Sequence, residues 1–151
     1  AEPHLIGPEQ KQWLDRLETD LPNLREALRF LLEADIDKAL QTSVSLWRLF
    51  WIRGHLREGQ VAIETALERS RDRPIALRAR GLTALGSIAY ARGEAEQAER
   101  HASEALRLFR KMEVDARMLS SLLTLGRLAM DRGDFIAARR YLEEGLEVAN
   151  S

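Results

Sequence analysis

Leu82-Thr83-Ala84-Leu85-Gly86-Ser87-Ile88-Ala89-Tyr90-Ala91-Arg92-Gly93-Glu94 decides how the chain folds, because its plan occurs three times. An apolar run leads into an Arg-Gly pair, and a second amphipathic run follows through Ala98, Ala102, Ala105 and Leu106. Leu122-Leu123-Thr124-Leu125-Gly126-Arg127-Leu128-Ala129-Met130-Asp131-Arg132-Gly133-Asp134 repeats the plan, followed by Ala138, Leu142, Gly145 and Leu146. A more divergent copy, Leu46-Trp47-Arg48-Leu49-Phe50-Trp51-Ile52-Arg53-Gly54, precedes Gly59, Ile63, Ala66 and Leu67. Gly54, Gly93 and Gly133 stand 39 and 40 residues apart. A glycine just past a helix end closes it in the left-handed conformation without a Cβ clash. Small residues return at the same offsets behind each glycine: Gly59 and Ala66, Ala98 and Ala105, Ala138 and Gly145. They let the second helix of each pair lie close to the first.

Outward from these copies the pattern stays helical. Trp13, Leu14 and Leu17 form a stripe in a helix expected over 9–19, and Leu24, Ala27, Leu28, Leu31 and Leu32 mark a second over 22–34. Asp20 is placed to cap the second helix ahead of Pro22, and Asp35 to cap a third that runs to Arg53. Further helices are expected over 56–70, from Pro74 to Arg92, and over 95–112, 115–132 and 135–150. No alternating apolar stretch of strand length competes. The predicted fold is all-α, a right-handed superhelix of eight helices in four hairpins. A leader at 1–8 precedes a single domain with hairpins at 9–34, 35–70, 74–112 and 115–150. The start without Met and the abrupt Asn150-Ser151 end suggest a fragment of a larger protein.

Bulk properties exclude several functions. Of 151 residues, 23 are basic and 24 acidic, so no excess of positive charge points to nucleic acid or an anionic membrane. The chain has no cysteine, which removes disulfides, thiolate metal sites and cysteine nucleophiles together and fits a reducing cytoplasm. The first residues lack the basic flank and apolar core of a signal peptide, and the Leu46–Ile52 cluster is far short of a membrane span.

Two resemblances sit on these residues. Leu85-Gly86, Gly93, Ala98 and Ala105 fall on the offsets of the tetratricopeptide repeat, as do Leu125-Gly126, Gly133, Ala138 and Gly145. The first copy departs, carrying Trp47 where the others carry Gly86 and Gly126. The period also exceeds the usual length of about 34, which places extra residues between hairpins. Trp13-Leu14-Asp15-Arg16-Leu17-Glu18, Leu21-Pro22-Asn23-Leu24-Arg25-Glu26-Ala27-Leu28 and the Leu46–Gly59 stretch resemble a junction in large bacterial regulators. There, a segment like residues 9–70 joins an ATPase and winged-helix module to a tetratricopeptide sensor, as in signal-transduction ATPases and LuxR-type, maltose-activator-like regulators. The resemblance implies a cytoplasmic, non-enzymatic interaction or sensor module. No phosphate-binding Gly-rich loop lies in this chain.

Candidate chemistry is sparse. His4, His55 and His101 lie on separate segments without metal-ligand spacing, and His55 beside a turn glycine reads as solvated or capping. Serines 43, 45, 87, 103, 120 and 121 lack a nucleophile elbow, and Glu143-Glu144 and Glu96/Glu99 read as solvated faces with i,i+4 partners such as Arg139. No catalytic residue, cofactor or metal is expected. Trp47 and Phe50 suit core packing.

The remaining candidates share the concave-face offsets of each first helix: Gln41, Val44, Arg48, Trp51 and Ile52; Arg80, Thr83, Ser87, Tyr90 and Ala91; Ser120, Leu123, Arg127, Met130 and Asp131. Arg, Trp, Tyr and Met anchor protein interfaces. Arg48, Trp51, Arg80, Tyr90, Arg127 and Met130 are therefore expected to line a groove for a peptide or protein, with Thr83, Ser87 and Leu123 beside them. Arginines paired with acidic neighbours inside the solenoid are the alternative. A small-molecule inducer and self-association stay open as other occupants, and Tyr141 and Val148 on the last helix are expected to await a further repeat or a second copy.

Overall fold

The computed structural model describes residues 8–69, 75–113 and 117–150. Among them lie eight α-helices and no strand: α1 (Gln10–Thr19), α2 (Leu21–Ala34), α3 (Ile36–Ile52), α4 (Leu56–Arg69), α5 (Ile75–Ala91), α6 (Ala95–Lys111), α7 (Leu119–Asp131) and α8 (Phe135–Asn150). Residues 1–7 of the expected leader, Pro74 as a helix start and a helix start at Asp115 fall outside the described residues. The chain forms two compact units, 1–73 and 74–151.

Helix boundaries follow local chemistry. Asp35 accepts the Lys38 amide at 3.1 Å and caps α3, and Asp134 accepts the Ala137 amide at 3.0 Å and caps α8. Asp20 forms no side-chain cap: its backbone is itself near-helical (φ −84°), and its amide donates to the Arg16 carbonyl at 3.0 Å. Gly54, Gly93 and Gly133 take φ of +82°, +76° and +76°. Around Gly93 the Glu94 amide donates to Ala89 O at 2.9 Å and the Gly93 amide to Tyr90 O at 3.0 Å. Asp134 and Gly133 repeat both bonds with Ala129 and Met130. This paired closure satisfies carbonyls that the helix end would otherwise strand.

In the first unit, α1, α2 and α3 converge on Leu14, Leu21, Leu28, Leu46, Leu49 and Phe50. The divergent copy solves its packing by exchange of volume. At the turn-proximal position it has Phe50 where the others have Ala89 and Ala129, and across the hairpin Gly59 where they have Ala98 and Ala138. Phe50 is 1% exposed and lies on the bare Gly59 backbone. Trp47, expected in the core, is only half-buried.

In the second unit α5 and α6 close on Gly86, whose missing Cβ would meet Ala102 N at 3.2 Å and Ala98 O at 3.4 Å. A core of Ala79, Ala105, Leu106, Phe109, Met118, Leu122 and Leu125 joins α5, α6 and α7. Tyr141 and Val148 are partly buried and pack against that core. The exposed apolar groups of α8 are instead Phe135, Ile136 and Leu146, all more than 60% accessible.

Candidate functional site

The concave-face offsets place their residues on the first helices of the hairpins, α3 in the first unit and α5 and α7 in the second. On α3, Val44 is buried, whereas Arg48 is half-buried and Trp51 and Ile52 are exposed. The Trp47 and Trp51 rings stack with centroids 5.7 Å apart and planes inclined by 23°, and the Arg48 guanidinium lies 5.2 Å from the Trp47 ring. Trp47 is thus the platform that holds Arg48 and Trp51, a role the sequence did not disclose.

In the second unit α5 packs beside α7, so residues 37 to 41 positions apart become neighbours. The Arg127 guanidinium sits 6.0 Å from the Tyr90 ring. The Tyr90 phenol is held above its ordinary range, first by burial, then by its hydrogen bond to Asp131 and that carboxylate's charge, with Arg127 acting the other way. Leu123 and Met130 are exposed on either side of Arg127 along α7. Arg80 and Ser87 are half-buried on α5, and the Ser87 hydroxyl donates to Thr83 O at 3.1 Å.

Thr83 turns inward. Its hydroxyl donates to Ala79 O at 3.0 Å, which leaves Ser121, 1% exposed, to donate to it across 3.1 Å. That pair ties α5 to α7 and occupies the Thr83 hydroxyl, with the side chain partly buried.

Among the described residues neither Arg48 nor Arg127 makes the ion pair that was the alternative to a groove role, and both guanidinium groups lie on aromatic rings. Ion pairs bind hairpins elsewhere. Arg132 grips Glu99 at 2.7 and 3.0 Å and Arg110 reaches Glu144 at 2.6 Å, while Arg139 and Glu143 pair within α8 at 2.7 Å as expected. The Glu99 carboxyl is held below its usual range by the hydrogen bonds from Arg132. His55 is partly buried and faces a carboxylate: its Nε2 lies 3.0 Å from Glu18 Oε1, and Arg53 contacts both Glu18 and Asp15. The turn after α3 is thereby tied to α1.

Among the described residues no group of three or more His, Cys, Asp or Glu could hold a metal ion, and no helix is long and apolar enough to cross a membrane.

With first helices side by side, left-handed glycines behind them and small residues across each hairpin, the second unit has the geometry of one repeat family. Residues 77–151 match the tetratricopeptide-repeat family model. A solved structure described as BtubC (BKLC) from P. vanneervenii superposes with a TM-score of 0.70 over 89% of this chain, at 18% identity. The chain spans 56% of that structure's length, so the likeness speaks to fold alone. No curated protein sequence matches the chain. Tetratricopeptide repeats generally mediate contacts between proteins, through extended surfaces that successive hairpins build.

Proposed function

We propose that the chain is a non-enzymatic interaction module whose first-helix faces each hold a peptide or protein segment, Arg48 and Trp51 on α3 forming the face of the first unit and Tyr90, Arg127, Leu123 and Met130 on α5 and α7 that of the second. One observation carries this reading. Arg48 and Arg127 are oriented by aromatic rings and have no carboxylate partner among the described residues. Cation–ring contact fixes a guanidinium at modest cost and leaves its donors free for a guest's carboxylate or carbonyl groups. The flanking Leu123, Met130 and Trp51 supply apolar contact area of the kind that anchors interfaces.

Peptides selected from a displayed library against the native chain are expected to lose roughly thirtyfold in affinity on Arg48→Glu combined with Arg127→Glu, which corresponds to about 2 kcal/mol. Affinity unchanged in the double variant, measured by fluorescence anisotropy, removes the reading.

The module's setting follows from the 9–70 resemblance: a sensor segment of a cytoplasmic bacterial regulator of the signal-transduction ATPase or LuxR type. The order of the Trp13–Glu18, Leu21–Leu28 and Leu46–Gly59 motifs supports it. The neighbouring reading frame tests it. A phosphate-binding Gly-rich loop encoded upstream is the expected finding, and a lone short gene sinks the regulatory setting while leaving the interaction module intact.

A further inference from the structure

The first unit carries a second surface, on α2 and α4. These helices flank an open trough of about 620 Å³, walled by Leu28 and Leu32 from α2 and by Val61 and Ala62 from α4. Val61 is 54% exposed, an apolar β-branched side chain left in water on a helix that buries Ile63, Ala66 and Leu67 on its other side. Leu28 and Leu32, like Val61 and Thr65, are one helical turn apart, so each wall repeats with a spacing of about 6 Å.

The rim is cationic. Arg25, Arg29 and Arg57 border the trough, with Glu58 as its single carboxylate. Glu58 is occupied by Arg25, through two contacts of 2.7 Å that hold its carboxyl below the usual range. Arg29 reaches only the exposed Glu26, and among the described residues Arg57 has no carboxylate partner.

Repeat geometry alone does not demand such a surface. The corresponding groove between α6 and α8 is lined by Ser103, Arg107, Arg140 and Tyr141, and Arg110 spans it to Glu144 at 2.6 Å. There Leu106 and Leu125 form the floor, and the rim carries arginines with the Arg110–Glu144 ion pair reaching across. Between α2 and α4 the space is left apolar and edged with positive charge.

We propose that the α2/α4 trough docks an amphipathic helix from an acidic protein partner. Its apolar residues at i and i+4 would lie on Leu28, Leu32 and Val61, and its flanking carboxylates on Arg57 and Arg29. Charge complementarity selects an acidic guest, because the Arg25–Glu58 pair satisfies itself and leaves Arg57, together with Arg29 held only by an exposed Glu26, to meet a guest's carboxylates. Shape selects a helix. The trough is open along its length and its ridges match a helical repeat, whereas an acyl chain or small ligand is held in sites that enclose most of its surface.

The test is fluorescence anisotropy of the full chain with a labelled peptide of about 18 residues, five turns of helix. It carries leucines at i, i+4 and i+7 and glutamates on the flanks. Three controls accompany it: the same peptide with lysine for glutamate, one with scrambled leucine spacing, and dodecanoate as competitor. The glutamate peptide is expected to bind roughly tenfold or more tightly than either control peptide, and to weaken by a similar factor in Arg29→Glu/Arg57→Glu or at raised salt. Val61→Asp abolishes binding with far-UV circular dichroism unchanged, since Val61 faces solvent; the arginine pair carries the test if that variant unfolds. Arg127→Glu leaves this binding untouched, which separates the trough from the first-helix face. Equal affinity for the lysine peptide, indifference to the arginine substitutions, or dodecanoate bound in place of the peptide each overturns the proposal.

Discussion

Gly59→Ala is expected to destabilise the first unit by about 2 kcal/mol, although alanine is the better helix former by about 1 kcal/mol. A Cβ at position 59 would lie 2.7 Å from Phe50 Cδ2 and 2.8 Å from Phe50 Cβ. Phe50 has nowhere to retreat, because it is 1% exposed and packed with Leu46, Leu49, Leu14 and Leu21. Phe50→Ala alone opens a cavity and is expected to cost about 4 kcal/mol. The two changes together recreate the Ala–Ala pairing of positions 89 and 98, and of 129 and 138. The double variant should therefore recover at least about 1 kcal/mol relative to the sum of the singles, a coupling that urea melts of the four-member cycle measure directly. Gly126→Ala serves as the contrast. There the clash is with the end of the flexible Leu142 side chain at 3.1 Å, which can rotate away, and a loss well below that of Gly59→Ala is expected. Additive losses at 50 and 59 would show that the exchange of volume is coincidental.

That exchange marks where the sequence was legible and where it was not. Periodic glycines announce themselves because a left-handed turn imposes one residue type at one offset, so Gly54, Gly93 and Gly133 mark the hairpins in the sequence itself. Asp35 was readable as a cap for the same local reason. Asp20 was misread because its side chain suits a cap while its backbone carries α1 almost directly into α2.

The candidate face was legible only as offsets. Whether a residue at a given offset turns outward depends on its neighbour across the hairpin stack, and so the Thr83 hydroxyl is taken up by Ser121 and Val44 is buried in the core. The ion pairs Arg25–Glu58, Arg132–Glu99 and Arg110–Glu144 join residues 33 or 34 apart, a separation with no local periodic signature. The α2/α4 trough was invisible for a further reason: an apolar residue such as Val61 reads as core in any helical pattern, and only three-dimensional packing leaves it uncovered.

Phe109→Ala is expected to be the most damaging single truncation in the second unit, at about 4 kcal/mol, a large part of the 5–15 kcal/mol that stabilises an ordinary domain. Phe109 is 1% exposed and belongs to a cluster drawn from three helices: Ala79 on α5, Ala102 and Ala105 on α6, and Leu122 on α7. Its neighbours are anchored on packed helices, so the space it vacates fills only in part. The loss falls on the contact between successive hairpins, the term that holds a repeat stack together once each hairpin is formed. All three tryptophans, Trp13, Trp47 and Trp51, lie in the first unit and report on it alone. In Phe109→Ala the helical signal in circular dichroism should therefore begin to fall at lower urea than tryptophan emission does. Hydrogen exchange should accelerate in α7 and α8 before α1 to α3. Coincident transitions shifted equally would place the damage in both units at once and refute a loss confined to the hairpin contact that Phe109 fills.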